Sequence, residues 1–171
     1  MAVAATEEDS DATGVNGNQL SNTTGSSGAV YVFERSPDGT WSEQAYIKAS
    51  NPSEIDRFGS SIAIHENLLA VGVGLEDSMA TGVNGPQDDV NPSINSGAVY
   101  LFSRNSDNEW SQIAYVKSAN NDEGDWFGSS VALDGDGVIV VSLNEDSGEA
   151  GIDGNPADNS ISNSGAVHIM R

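Results

Sequence analysis

The apolar positions of this chain come in short alternating runs. In Ala29–Phe33 the two alternating sets are Ala29, Tyr31, Phe33 and Val30, Val32, apolar on both sides. Successive side chains of an extended strand point to opposite faces, so this run predicts a strand covered on both. From Phe58 one set is Phe58, Ser60, Ile62, Ile64 and the other Gly59, Ser61, Ala63. That pattern predicts a strand whose small-residue face lies where sheets converge. From Trp41 onward, Glu43, Gln44 and Lys48 are interleaved with Trp41, Ala45 and Ile47, which suits an outer, half-wet strand. Clusters of Gly, Asn, Asp, Ser and Pro separate the runs, and no stretch sustains helical i, i+3, i+4, i+7 spacing.

These runs repeat. "SGAVYVF" begins at Ser27, "SGAVYLF" at Ser96 and "SGAVHIM" at Ser164, in steps of 69 and 68. "FGSSIAI" at Phe58 returns as "FGSSVAL" at Phe127, and "WSEQAYIKAS" at Trp41 as "WSQIAYVKSA" at Trp110. "LAVGVGLEDS" at Leu69 returns as "IVVSLNEDS" at Ile139. One unit is thus four strands, doubly buried in the middle and small at one edge. This predicts an all-β protein built of β-propeller blades, each of four antiparallel strands. The period of about 69 residues is long for a solenoid coil.

The expected division is a partial blade over residues 1–50, a full blade over 58–119 and a partial blade over 126–171. Propellers close with roughly 4–8 blades, so these strands predict an incomplete ring. Completion is expected from a longer parent chain or from self-assembly, because a lone copy leaves apolar faces and strand edges wet.

Composition narrows the partners. The 171 residues carry 26 acidic and 6 basic side chains, a net charge of −20. Nucleic acid and anionic membrane surfaces are improbable partners for such a chain. There is no cysteine, so disulfides and thiolate sites are excluded. No apolar run approaches the ~20 residues of a membrane helix, and no secretory leader is present in this chain.

In the order Phe-Gly-Ser-Ser, Leu-Ala-Val-Gly, Glu-Asp-Ser…Gly-Val-Asn-Gly, Ser-Gly-Ala-Val-Tyr, the chain resembles the FG-GAP repeats of integrin-α-like β-propellers, closest to their bacterial branch. The resemblance implies a secreted or cell-surface, non-catalytic scaffold or adhesion module that binds protein or its own copies. It supplies no catalytic residue.

Calcium is the one cofactor the loops suggest. "EDSDATGVNG" at Glu8 recurs as "EDSMATGVNG" at Glu76 and "EDSGEAGIDG" at Glu145. Asp9, Asp11, Thr13 and Gly14 sit at the first, third, fifth and sixth places of an EF-hand-like loop, but the other copies do not keep these donors. What persists is turn chemistry, with Gly14 and Gly17, Gly82 and Gly85, Gly151 and Gly154. A self-packed loop is therefore the preferred expectation. The alternative is that successive blades bring Glu8, Asp9, Asp11, Glu76, Asp77, Glu145, Asp146 and Asp153 together around calcium. The family's own calcium box would fall in the first hairpin, where "HENL" and "DGDG" offer too few carboxylates; the latter reads as a tight turn.

Other candidates are weak. His65 and His168 lie in a turn and in place of the repeat Tyr. The FGSS serines lack a recurring His or acid partner. Lys48 and Lys117 share a repeat position, as do Arg35 and Arg104, which predicts pairing with blade carboxylates. Trp41 and Trp110 are expected to pack between blades; the alternative, stacking on a sugar ring, would make the protein a propeller-type lectin. No copy holds a constellation of its own, so no enzyme is expected.

Overall fold

In the computed structural model, residues 1–88, 94–135, 137–152, 154–155 and 157–170 are described. Ten strands run β1 (Ala2–Ala5), β2 (Ala29–Arg35), β3 (Trp41–Ile47), β4 (Ser61–His65), β5 (Leu68–Val73), β6 (Ala98–Arg104), β7 (Trp110–Val116), β8 (Phe127–Asp134), β9 (Gly137–Ser142) and β10 (Ala166–Met170). They form three antiparallel sheets, β1-β2-β3, β4-β5-β6-β7 and β8-β9-β10. No helix occurs among the described residues. The sheets do not close into a ring, and the fold is all-β with open propeller blades.

The alternation explains the layers. Ala29, Val30 and Val32 of β2, and Ala98, Val99, Tyr100 and Phe102 of β6, are buried, as strands covered on both faces must be. β3 is exposed over Trp41–Glu43 and buried over Ala45–Ile47. The same irregularity recurs at Val32/Phe33 and Leu101/Phe102, where the register with the outer strand slips by one residue. The inner hairpins are two-residue turns: His65 pairs with Leu68, and Asp134 with Gly137. Gly135 has φ +63° there; Asp136 lies outside the described residues.

The FGSS segments join one sheet to the next. Phe58 stands edge-on to Tyr100 (5.4 Å) and Phe102 (6.2 Å) of its own sheet. Its backbone N–H donates to Ser27 O of the preceding sheet at 2.9 Å, and Phe127 N repeats this to Ser96 O at 2.9 Å. A Cβ on Gly97 would lie 2.1 Å from Phe127 O, and the residue has φ +83°. The approach is backbone on backbone, so only glycine fits. The two serines divide the work. Ser60 Oγ donates to Gly72 O (2.9 Å) within the sheet, while Ser61 Oγ donates to Gly128 O (2.8 Å) of the next. The small face read from the sequence is thus the line along which β8 packs on β4 and β5.

Candidate functional site: the Glu-Asp-Ser loops

In the first two sheets the Glu-Asp-Ser loop, which leads into β2 or β6, sends its glutamate under the outer strand, β3 or β7. Lys48 Nζ donates to Glu8 Oε2 at 2.8 Å and to Ser27 Oγ at 2.6 Å. In the central sheet Lys117 Nζ donates to Glu76 Oε2 at 2.6 Å and to Ser96 Oγ at 2.8 Å, with both charged side chains wholly buried. Tyr115 Oη also donates to Glu76 Oε1 (2.7 Å), and its hydroxyl meets Ser78 Oγ. Taking such charges out of water is tolerable only with a paired charge and several hydrogen bonds. The expected pairing of the lysines with blade carboxylates is therefore realised.

The arginines differ from expectation. Arg35 lies over Trp41 at 6.0 Å and Arg104 over Trp110 at 5.8 Å, and Arg104 Nε donates to Asn67 Oδ1 at 2.9 Å. At the rim a planar guanidinium gains more from an indole face than from a solvated carboxylate. Trp110 is buried, with Nε1 donating to Gln44 Oε1 of the preceding sheet at 3.0 Å, whereas Trp41 is half exposed.

The second acid of each loop caps a turn. Asp9 Oδ1 accepts from Ser26 N (2.7 Å), Asp77 Oδ1 from Asn95 N (2.6 Å) and Asp146 Oδ1 from Asn163 N (2.7 Å). All three donors have positive φ, so the carboxylate steadies a left-handed turn just before the third strand. The Gly-Val-Asn-Gly stretch then lies along the outer strand. Asn16 N donates to Tyr46 O at 2.7 Å and Tyr46 N to Asn16 Oδ1 at 3.0 Å. Asn84 and Tyr115 repeat both bonds at 2.7 and 3.0 Å. Val15 bridges Ile47, and Val83 bridges Val116. The loop shields an edge that would otherwise invite pairing.

Sequence reasoning missed Asn51 and Asn120, although they recur 69 residues apart. Asn51 Nδ2 donates to Glu76 Oε1 (3.1 Å) and Asn120 Nδ2 to Glu145 Oε1 (3.0 Å), each reaching into the following sheet. Each buried glutamate is thus met across the sheets by an amide, not by a second acid.

The fit to calcium is poor. Glu8, Asp9, Glu76, Asp77, Glu145 and Asp146 already accept hydrogen bonds from an ammonium or amide. Asp11 is exposed, its carboxyl held below the ordinary range by the Ser21 and Thr23 hydroxyls. Asp153 lies outside the described residues. Among the described residues no three His, Cys, Asp or Glu side chains gather as a metal would require. Burial pushes His168 down, and its ring sits 3.1 Å from Ser142 Oγ and edge-on to Phe127. His65 is exposed in its turn.

The family model described as FG-GAP repeat matches residues 41–102 and 110–170. No curated protein matches the chain. Each matched unit spans the outer strand of one sheet and three strands of the next, β3–β6 and then β7–β10. The motifs that stitch sheet to sheet here, Phe-Gly-Ser-Ser and Ser-Gly-Ala-Val, lie within these repeats or at their seams, and the chain belongs to the FG-GAP repeat family of integrin-α-like propellers.

Proposed function

We propose that the chain is a non-catalytic interaction segment, acting outside the cell as an adhesion-type scaffold that associates with its own copies or with another protein. The observation that carries this reading is the apolar surface left open on the sheets, greatest on the third, where Val167 is 64% and Ile169 68% exposed against 50% for Ile113 of the central sheet. The acids, serines and glycines that repeat are spent on joining sheets, whereas apolar side chains stand exposed on the flanking ones. Val3 and Trp41 of the first sheet, and Val167 and Ile169 of the third, are exposed. Exposed apolar groups on an open sheet stack favour association. The strongly acidic surface is compatible with a salty, calcium-containing exterior and disfavours anionic partners.

Light scattering over a concentration series tests it. A mass above that of one chain, rising with concentration, is expected. A folded monomer throughout would overturn the self-association reading.

Glycan binding is a second reading with one observation in its favour. Half-exposed Trp41 lines an open cleft of about 340 Å³ together with Arg35, Gln44 and Arg104. An aromatic face flanked by polar donors suits a sugar ring. Glycan-array binding lost in Trp41→Ala would support this reading, and its absence in the parent protein would remove it.

A further inference from the structure

Glu76 holds an amine on one carboxylate oxygen and an amide on the other. Oε2 accepts from Lys117 Nζ at 2.6 Å, and Oε1 accepts from Asn51 Nδ2 at 3.1 Å. Lys117 follows β7 of the central sheet, whereas Asn51 lies in the connector after β3 of the preceding one. The carboxylate therefore spans the seam between two sheets. The partners settle how the amide is turned. Asn51 Nδ2 also donates to Gln87 O at 3.2 Å, while Oδ1 accepts from Tyr100 Oη at 2.6 Å. A carboxylate and a carbonyl only accept, so the nitrogen must face them. Lys117, Glu76 and Tyr100 are all buried.

These groups are the parts of an acyl transfer. The lysine is a nucleophile once it gives up a proton, and the acid that takes this proton is already hydrogen-bonded to it. The amide carbonyl is the electrophile, and a tyrosine hydroxyl points at the oxygen where negative charge collects. Desolvation favours the neutral amine and the neutral acid over their charged forms. At the equivalent site in the first sheet, burial lowers the pKa of Lys48.

We propose that Lys117 and Asn51 join in an isopeptide bond, with Glu76 as the proton carrier, so that a covalent crosslink ties the first sheet to the second. A proton passes from Lys117 Nζ to Glu76 Oε2, and the freed amine attacks Asn51 Cγ. Tyr100 Oη holds the oxyanion that forms on Oδ1. Glu76 hands its proton to Nδ2 and takes a second one from Nζ. The Cγ–Nδ2 bond then breaks and ammonia leaves. One carbon–nitrogen bond forms as another is lost, no oxidant or reductant enters, and Glu76 ends as the neutral acid. The event happens once within the chain, so it reinforces an interaction segment and provides no turnover. It goes beyond that reading and does not rest on it. The chain supplies its own control. Its other lysine, Lys48, meets Glu8 and Ser27, but among the described residues no amide side chain meets Glu8, so Lys48 keeps its amine.

Intact mass spectrometry of the full chain, denatured after purification, tests the crosslink. The expected mass lies below that dictated by the sequence by one ammonia. Trypsin should then cut after Lys48 but not after Lys117, and release residues 49–57 joined to 105–171. Asn51→Ala, which removes only the acceptor, should restore the full mass and cleavage after Lys117. Glu76→Gln should do the same, and a folded Glu76→Gln chain that still loses ammonia overturns the role of Glu76. A parent chain at its full mass overturns the crosslink. So does an ammonia lost within one peptide while Lys117 remains cleavable. The parent measurement decides the matter even where a variant fails to fold.

Discussion

Lys117 Nζ and Glu76 Oε2 lie 2.6 Å apart with neither side chain open to solvent, and residues from two neighbouring sheets and their loops converge on the pair. The lysine follows the outer strand of its sheet, the glutamate begins the loop, Tyr115 comes from β7, and Asn51 reaches over from the preceding sheet. Removing one partner leaves a buried charge without compensation. Glu76→Gln or Lys117→Met should each cost about 3–5 kcal/mol in urea denaturation. The double variant should cost less than the sum, because it removes both charges together.

Glycines that look alike in sequence should differ sharply on substitution. Gly97→Ala places a methyl 2.1 Å from Phe127 O at φ +83°, whereas Gly82→Ala meets nothing within 4 Å at φ +71°. The first combines backbone strain with a steric collision and should cost roughly 3 kcal/mol or more; the second carries the left-handed penalty alone, roughly 1 kcal/mol. Chemical denaturation of the two variants side by side checks the difference.

Stability should carry an acid-side contribution from Asp125. Burial above all, then its acidic neighbours, raise this carboxyl to about 6. A carboxyl raised on folding favours the folded state fully below its unfolded value near 4 and loses that contribution as pH rises through about 6. Asp125→Asn keeps an oxygen to accept from Asp122 N but cannot ionise. The variant should melt a few degrees above the parent at pH 7 and lose that advantage by about pH 4. Melting curves at several pH values decide it.

Calcium should leave the fold as it is. The loop carboxylates that would serve as ligands are engaged by Lys48, Lys117 and backbone amides. Scanning calorimetry with added calcium and with EDTA should give superimposable transitions. A calcium-dependent rise of several degrees would mean that these oxygens abandon their present donors for the ion.

The strands were legible as strands, and β2 is covered along most of its length as its two apolar sets require. But β3 is divided into an exposed first half and a buried second half and β4 leaves Ile64 exposed, so burial there does not follow the alternation. Even the crowded small face of Gly59, Ser61 and Ala63 announced where sheets meet. The loops were less legible. Glu8 and Lys48 are 40 residues apart, and nothing local in sequence says that an acid beginning one loop will lie beneath the lysine after another strand. The recurrence of Lys48 and Lys117 hinted at a shared partner without saying which. Asn51 was hidden for a different reason. An exposed-looking asparagine beside a proline reads as a turn residue, and its reach to Glu76 exists only once two sheets are stacked. Arg35 and Arg104 misled through charge alone, since their recurrence matched the recurrence of Trp41 and Trp110 as well as that of the acids.

The offset between the matched units and the sheets has a consequence for how such chains lengthen. Residues 41–102 contribute an outer strand to one slab and three inner strands to its neighbour, and residues 110–170 do the same one step later. Like overlapping roof tiles, each copy is pegged under the one before it. A duplication or deletion of one whole unit therefore preserves every seam, whereas a cut at a slab boundary would strand a single ribbon on either side.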